Sequence, residues 1–382
     1  MTDDRPTLGV GMVGYAFMGR VHAQAWRSVG AFFDLPVRAS MTVLAGRSRR
    51  VERAAADLGW AHAVTDWRDL VARDDVHIVD ICAPGDAHAE IALAALAAGK
   101  HVLCEKPLAN TVAEAEEMAE AAQQAEAHGV LSMVGFNYRR VPAVAYARRL
   151  VASGRLGSIR HVRATYLQDW IVDPAHPLVW RLDRARAGSG ALGDIGAHII
   201  DLAQFVTGEA VTGVSALTET FVKERPLADG PGSGPVTVDD AAVFLARMSG
   251  GALATFEATR FAAGRKNALR LEINGSLGSL AFDFERLNEL EFHDHTLPPE
   301  EAGFRRILAT EPGHPYAAAW WPPGHGLGYE HTFTHEIRDF LDCVAAGKPP
   351  SPSFADGLQV QRVLAAVEAS AAASSVWTPI PT

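Results

Sequence analysis

Two hydrophobic patterns follow one another along the chain. In the first third, short apolar runs alternate with Ala- and Leu-rich segments that have a helical period. Buried parallel strands are apolar on both faces, so this order predicts β/α units around a parallel sheet. The strands predicted for this part are residues 7–13, 37–45, 77–82, 101–104 and 130–135.

After about residue 137, apolar and polar residues alternate, which is typical of antiparallel strands with one covered face. The strands predicted here are residues 159–167, 214–222, 238–248, 252–260, 268–273, 279–284 and 287–292, followed by helices over 332–346 and 356–373. At 382 residues the chain exceeds the usual size of one domain. We expect an α/β fold: a doubly wound Rossmann domain over residues 1–136, and an α+β domain with a large open, mostly antiparallel sheet over 137–382.

A glycine-containing turn directly follows the first predicted strand and precedes a predicted helix. This order predicts a dinucleotide site, where the helix N-terminus points backbone N–H groups at a pyrophosphate. The first glycine makes the tight turn, and the last lets the helix pack closely on the strand. Alanine in the middle position departs from GxGxxG and adds one methyl group beside the phosphates. The residues expected to bind the cofactor here are Gly14, Tyr15, Ala16, Phe17, Met18 and Gly19.

The end of the second predicted strand bears on the choice of cofactor. Arg47 and Ser48 stand where an acidic residue would bind the ribose hydroxyls of NAD. A cation and a hydroxyl there favour the 2′-phosphate of NADP. Alternatively, Arg47 stacks on the adenine and needs no phosphate.

The loops after the next two strands carry further candidates. Ala83 and Pro84 are expected beside the nicotinamide half of the cofactor, and His88 is either a contact there or a packing histidine at a helix start. Glu105 and Lys106 follow a buried strand, at the sheet edge where open α/β sheets bind ligands. An ammonium at that edge can hold a substrate oxygen. The following helix has a capping-box pattern, with Asn110 or Thr111 followed by Glu114.

A second glycine-rich stretch, AGSGALGDIGAH, precedes a helix that carries Asp194 and His198. The i, i+4 spacing puts the carboxylate and the imidazole on one helix face. A carboxylate beside a histidine orients the ring, which suits general acid–base chemistry. The alternative is a pair on the helix surface.

Several aromatic and polar residues are candidates for the substrate pocket. Trp180 and Arg181 lie before the glycine-rich loop, and Asn137 follows the last strand of the first domain. Trp321 belongs to the rigid segment WWPPGH, which is either a sugar-contacting surface or an oligomer contact.

Composition excludes some classes of function. The formal net charge of −10 argues against nucleic-acid binding, which needs a basic face. Three cysteines in apolar contexts indicate core thiols in a reducing compartment. With no leader or apolar run of membrane-spanning length, we expect a cytoplasmic protein with no membrane partner. We expect no metal site, because His331, His335 and Glu336 do not form HExxH, and His293 and His295 lack a clear third ligand.

The motifs GMVGYAFMG, CEKP and GDIGAH, in this order and spacing, resemble the Gfo/Idh/MocA (glucose–fructose oxidoreductase/inositol dehydrogenase) family over nearly the whole chain. The closing helix, FADGLQVQRVLAAVEAS, is similar as well. Within the family, QDWIVDP, FVKERPL, HPYAAAWWPPGHG and GYEHTF are most similar to bacterial levoglucosan dehydrogenases. Those enzymes oxidise the C3 hydroxyl of an anhydro-sugar.

The resemblance implies that Lys106, Asp194 and His198 are the catalytic set. The open antiparallel sheet expected in the second domain leaves a broad face for self-association, so we expect a homodimer or homotetramer through it. The resemblance also implies a nicotinamide-dependent dehydrogenase acting on a sugar or polyol hydroxyl. It pulls the cofactor prediction towards NAD, so we expect NAD or NADP with NAD slightly favoured. The alternatives are an inositol or amino-sugar dehydrogenase, or a redox sensor without chemistry. A sensor has no evident need for lysine, aspartate and histidine together.

Overall fold

The computed structural model describes residues 5–381 and divides the chain into two compact units. The first unit comprises the residues up to Arg140 together with Gly328–Leu358. The second comprises Val141–Leu327 and the residues from Gln359 onward. Residues 1–4 and residue 382 lie outside the described part.

The first unit begins with strands and helices in strict alternation. In chain order they are β1 (Thr7–Val13), α1 (Phe17–Phe32), β2 (Arg38–Ala45), α2 (Arg50–Leu58), β3 (His62–Val64), α3 (Trp67–Val71), β4 (Ile78–Ile81), α4 (His88–Ala97), β5 (His101–Glu105), α5 (Val112–Glu126) and β6 (Ser132–Gly135). The strands form one parallel sheet in the order β3-β2-β1-β4-β5-β6. The order reverses between β1 and β4, and ligands of open α/β sheets bind at the carboxyl ends of such strands.

The second unit begins with a helix and contains all the remaining strands that the structure describes. In chain order its elements are α6 (Pro142–Ala152), β7 (Ile159–Leu167), α7 (Arg184–Ala187), α8 (Ala197–Thr207), β8 (Val211–Glu219), β9 (Glu224–Pro226), β10 (Ser233–Pro235), β11 (Ala241–Met248), β12 (Leu253–Thr259), β13 (Ala268–Gly275), β14 (Gly278–Asp283), β15 (Glu289–Asp294) and β16 (Arg305–Leu308).

The chain then returns to the first unit. Helix α9 (Tyr329–Ala346) places Phe333, Ile337 and Phe340 in the apolar core that contains Trp26 of α1. This corrects the expectation that residues 137–382 form one domain. The apolar face of α9 needs a partner surface, and α1 provides it. The segment Asn137–Arg140 also belongs to the first unit.

Helix α10 (Phe354–Ala372) contains the last division between the units, and β17 (Thr378–Pro379) ends the second sheet. That sheet has nine strands in the order β16-β15-β14-β13-β7-β12-β11-β8-β17. Its pairs are antiparallel except β7–β12, which is parallel, so the expected mostly antiparallel sheet is confirmed. Along β11, buried and exposed residues alternate, as expected for a sheet with one covered face.

No helix within residues 5–381 is both long enough and apolar enough to cross a membrane.

Candidate active site

The turn between β1 and α1 has room for backbone but not for side chains. Gly14 has a φ of 103°, and a Cβ there would lie 2.6 Å from the carbonyl oxygen of Cys82. A Cβ on Gly19 would lie 2.2 Å from the carbonyl oxygen of Gly14. Ala16, at the N-cap of α1, offers no side-chain acceptor to the first-turn N–H groups. This backbone cradle fits the pyrophosphate of a dinucleotide.

The aromatic residues of the turn lie on its two sides. Phe17 is exposed, and its ring stacks against Tyr329 with the centroids 6.1 Å apart. Tyr15 lies against the end of β2, where a Cβ on Gly46 would be 2.2 Å from its ring. Met18 instead packs against the apolar core of the first unit.

The end of β2 carries the residues predicted to meet the adenosine half of the cofactor. Arg47 and Ser48 are both exposed, and the hydroxyl groups of Ser48 and Tyr15 lie 3.5 Å apart. No acidic residue occurs between positions 46 and 50. The strand end therefore carries an exposed cation and hydroxyl groups, and no carboxylate.

His88 joins the two loops that follow β4 and β5. It is buried, with Nε2 2.9 Å from the carbonyl oxygen of Ala83 and Nδ1 3.0 Å from that of Pro107. Carbonyl oxygens only accept hydrogen bonds, so a neutral ring donates to one of them and a protonated ring to both. Of the two alternatives for His88, the geometry favours the packing role. This role still serves the site, because it ties the loop containing Ala83 and Pro84 to the loop containing Lys106.

Lys106 follows the last residue of β5, as predicted. Glu105 is buried, and one of its carboxylate oxygens accepts the backbone N–H of Lys106 at 3.1 Å. Lys106 itself is partly exposed, and the peptide bond between Lys106 and Pro107 is cis. The capping box of α5 also forms, with Thr111 and Glu114 exchanging hydrogen bonds.

A buried polar cluster, not predicted from the sequence pattern, lies behind this strand end. His22 of α1 places Nδ1 2.9–3.0 Å from both carboxylate oxygens of Asp80 and Nε2 3.0 Å from Glu105. The indole N–H of Trp26 donates to Asp80 at 2.7 Å. Burial is the largest single influence and lowers the pKa of His22, but Asp80 and Cys82 together outweigh it, so this pKa is raised well above its usual value. An acidic residue inside the apolar run of β4 was the available sequence signal.

The remaining histidines of interest have other partners. His331 accepts the backbone N–H of Gly328, and His335 donates to the carbonyl oxygen of Arg140 at 2.9 Å. Burial lowers the pKa of His335 to about 3, so its ring is neutral.

One group in the described range has potential metal-ligand geometry. The donor atoms of His22, Asp80 and Cys82 lie within 4.8 Å of one another. In this arrangement the two Asp80 oxygens are hydrogen-bonded by His22 and Trp26.

In the second unit, Asp239 holds the glycine-rich loop before α8. Its carboxylate accepts the backbone N–H groups of Gly190 at 2.7 Å and Leu192 at 2.8 Å. A Cβ on Gly190 would lie 1.8 Å from the Asp239 carbonyl oxygen, so this position needs glycine. These contacts fix the backbone of the loop just before Asp194.

Asp194 and His198 do not share one regular α-helix, which corrects the sequence expectation. Asp194 lies in a π-helical turn, Leu192–Gly196, and His198 lies in the first turn of α8. The backbone N–H of Ala197 bonds the carbonyl of Leu192, five residues back, which is the hydrogen bond of a π turn. π turns of this kind are frequent at functional sites.

A buried arginine near Asp194 was also missed from the sequence. Arg260 is fully buried; its Nη1 lies 3.8 Å from the Asp194 carboxylate, and its Nη2 donates to the Asp239 carbonyl at 3.2 Å. Its guanidinium lies 5.4 Å from the ring centroid of Trp170. The buried guanidinium attracts the Asp194 carboxylate electrostatically. The Asp194 side chain itself is about a third exposed. Beyond it, the His198 ring lies 5.9 Å from that of Tyr166.

The predicted pocket walls have local contacts in the structure. The Arg181 guanidinium lies 4.5 Å from the ring centroid of Trp180, and Trp321 is exposed beside Trp320. Asn137 is buried and donates its amide to the Thr332 hydroxyl at 2.8 Å. This contact favours a supporting role for Asn137 over direct sugar contact.

Comparison with known proteins identifies relatives for both halves of the chain. Residues 8–136 match the oxidoreductase family with an NAD-binding Rossmann fold, and residues 144–281 match the GFO/IDH/MocA C-terminal domain. A levoglucosan dehydrogenase from Pseudarthrobacter phenanthrenivorans is 42% identical, with the alignment covering 98% of each chain.

Two solved structures show how far the likeness extends in three dimensions. The crystal structure of an oxidoreductase domain protein from Kribbella flavida has 65% identity and a TM-score of 0.97, covering 98% of this chain and 100% of its own. A levoglucosan dehydrogenase in complex with NADH and levoglucosan has 42% identity and a TM-score of 0.94, with the same coverage. Since the family matches in both halves and in order, the chain belongs to the Gfo/Idh/MocA family of NAD-binding oxidoreductases.

Proposed function

We propose that this chain oxidises a secondary hydroxyl of a sugar or anhydro-sugar, with the C3 hydroxyl of levoglucosan as the first candidate. The observation that carries the proposal is the 42% identity to a levoglucosan dehydrogenase across 98% of both chains. The overall reaction is alcohol plus NAD⁺ to ketone plus NADH and a proton. The local geometry at Lys106 and at Asp194 supports it.

Bound NAD⁺ supplies the acceptor for the hydride that leaves the carbinol carbon. The hydroxyl must lose its proton as that hydride leaves, and His198 is the proposed base. Lys106 holds the substrate oxygen and stabilises its developing negative charge. Asp194 orients the imidazole and stabilises its protonated form. Arg260 keeps Asp194 in place from the buried side.

Both nicotinamide dinucleotides are proposed to be accepted, with NAD at least as good. Without an acidic residue at the end of β2, nothing there repels a 2′-phosphate. An arginine that stacks on adenine serves NAD equally well. In the substrate pocket we propose Trp180, Arg181 and Trp321 as walls, because aromatic surface suits the apolar CH face of a sugar ring.

A homodimer or homotetramer through the second unit's sheet is also proposed. Leu217 of β8 and Val243 of β11 lie opposite each other and are exposed, as are Leu245 of β11 and Leu253 of β12. Contiguous exposed apolar side chains of this kind mark association surfaces. Three free cysteines, of which Cys82 and Cys104 are buried, support a reducing, cytoplasmic location.

The test is a substrate panel followed at 340 nm. Levoglucosan, aldoses, amino-sugars and inositols are each offered with NAD⁺ and with NADP⁺. We expect the highest kcat/KM with levoglucosan or another anhydro-sugar, and NAD⁺ at least equal to NADP⁺. Higher efficiency with inositols or amino-sugars would establish the alternative dehydrogenase, and NADH binding without turnover of any sugar would favour a sensor. In Arg47→Ala, a collapse of a strong NADP⁺ preference would overturn the cofactor assignment.

A further inference from the structure

The buried cluster around His22 connects the sheet interior to the strand end that carries Lys106. Ionised carboxylates only accept hydrogen bonds, and His22 has one on each ring nitrogen: Asp80 on Nδ1 and Glu105 on Nε2. Both nitrogens therefore donate, and the ring is an imidazolium. Its side chain and that of Asp80 have no exposed surface, and Glu105 has 4%.

Charge balance explains why these three groups occur together. A buried carboxylate without a partner costs several kcal/mol of desolvation, and breaking a buried ion pair leaves that cost uncompensated. One cation between two carboxylates offsets much of it. Charge-assisted hydrogen bonds of 2.9–3.0 Å also fix the ring and both carboxylates in one geometry.

Glu105 transmits this fixed geometry to the site. One oxygen of its carboxylate is held by His22, and the other accepts the backbone N–H of Lys106. On the far side of Lys106, the carbonyl of Pro107 contacts His88. The backbone that carries Lys106 is thus held from both sides by buried imidazoles.

We propose that His22 is a positioning residue for the dehydrogenase reaction: it fixes the Glu105 carboxylate, which in turn fixes the backbone of Lys106 and hence the placement of its ammonium. The proposal rests on the proposed function, in which Lys106 holds the substrate oxygen. It assigns His22 and Asp80 a task that the reaction itself does not require, since neither is proposed to touch substrate or cofactor.

Other groups that face the cluster do not replace this arrangement. Cys82 and Asp80 come from the β4 end, while Glu336, Tyr329 and the Phe333 ring come from α9. Burial holds the Cys82 thiol protonated by raising its pKa, and raises the pKa of Glu336 to about 8, so both are neutral near pH 7. The cation of His22 is therefore shared between Asp80 and Glu105.

His22 forms a bridge between Asp80 and Glu105, and a matched pair of substitutions removes one of these two contacts at a time. The amide nitrogen of asparagine takes roughly the place of Nδ1, and that of glutamine the place of Nε2. His22→Asn keeps a donor for Asp80 and loses the one for Glu105, whereas His22→Gln does the reverse. Trp26→Phe is the control, because it removes a donor to Asp80 and leaves both contacts of His22 in place.

Two readouts are measured on the full-length protein, one during turnover with NAD⁺ and one with NADH bound. The first is kcat and KM with the best sugar of the panel. The second is hydrogen–deuterium exchange, by mass spectrometry, of the peptide that contains the Lys106 amide. Exchange needs no substrate, so it tests the His22 bridge even where the proposed function fails.

We expect His22→Asn to lower kcat about tenfold to a hundredfold, the scale of a misplaced catalytic group, with little change in the KM for NAD⁺. Exchange at the Lys106 amide should be faster in His22→Asn, and close to wild type in His22→Gln and Trp26→Phe. Equal loss in both His22 variants, or wild-type exchange in His22→Asn, would overturn the proposal. So would an equimolar metal ion in the wild type that is lost in Cys82→Ser.

Glu105→Gln provides the same test if His22→Asn does not fold. Its amide oxygen can accept from His22, and its amide nitrogen then faces the Lys106 N–H as a second donor. We expect faster exchange at Lys106 there too, and unchanged exchange would contradict the bridge.

Discussion

At the scale of single residues, the hydrophobic pattern did not predict the partners of the buried ionisable side chains. Asp80 lies inside an apolar strand and Arg260 at the end of another, and both are fully buried. Each is placed by a partner far away in sequence: Asp80 by His22, and Arg260 beside Asp194. Because these partners are distant in sequence, they can be identified only once the fold is known.

Glu336 gives a prediction for stability against pH. Burial raises its pKa to about 8 from a usual value of 4.5, and neither carboxyl oxygen has a hydrogen-bond partner among the described residues. Between these pH values the native state holds a proton that the unfolded state has released. The free energy of unfolding must therefore fall as pH rises through this window. We expect Glu336→Gln to remove that loss, so its Tm advantage over wild type is larger at pH 8.5 than at pH 5.5.

Differential scanning fluorimetry at both pH values measures this, with Glu330→Gln as the control. Glu330 is on the same helix and its side chain is 55% exposed, so its substitution should shift Tm equally at the two pH values. A Tm difference for Glu336→Gln that does not vary with pH would show that Glu336 is ionised in the native state.

At the scale of elements, sequence pattern performed well wherever one local rule decides the structure. The first strand and the strand over residues 159–167 have the predicted bounds, because apolar runs and strict alternation mark their ends. The glycine turn and the capping box of α5 were likewise read from local chemistry. The π turn that carries Asp194 was not, since it depends on Asp239, some 45 residues away along the chain, holding the preceding loop.

Helix α1 contains two glycines with opposite surroundings, which makes a direct test of the dinucleotide turn. Gly19 has no room for a Cβ, whereas Gly30 has no atom within 4 Å of one. We expect Gly19→Ala to weaken NADH binding at least about tenfold, as α1 moves away from the pyrophosphate. Gly30→Ala should leave binding unchanged and stabilise the fold by about 0.5–1 kcal/mol, because alanine favours helix.

NADH titration by fluorescence and thermal melts measure both effects. Equal NADH affinity in the two variants would contradict the assignment of this turn to the cofactor.

At the scale of the whole molecule, the hydrophobic pattern predicted two units. It did not predict that the chain returns from the second unit to the first. The change from continuous to alternating apolar residues near residue 137 lies close to the division after Arg140. The return of Gly328–Leu358 to the first unit could not be predicted, because α9 reads as an ordinary amphipathic helix and its partner, α1, lies some 300 residues earlier.

The exposed apolar face of the second sheet predicts an oligomer that a single charge disrupts. We expect multi-angle light scattering to give a multiple of 40.8 kDa for the wild type, and a smaller assembly for Val243→Glu. A charge buried in an interface without a partner is costly. Leu277→Glu is the control, because Leu277 is comparably exposed on the turn between β13 and β14. The same mass for Val243→Glu and wild type would exclude this face as the interface.

The measurement that tests the account most directly is the rate of NAD⁺ reduction with the preferred sugar in wild type, Lys106→Ala and His198→Ala. If Lys106 holds the substrate oxygen and His198 takes its proton, each substitution should lower kcat at least about a hundredfold, the scale of positioned acid–base groups. NADH affinity, measured by fluorescence in parallel, should change little. Near-normal turnover in either variant would contradict the assignment of the catalytic residues.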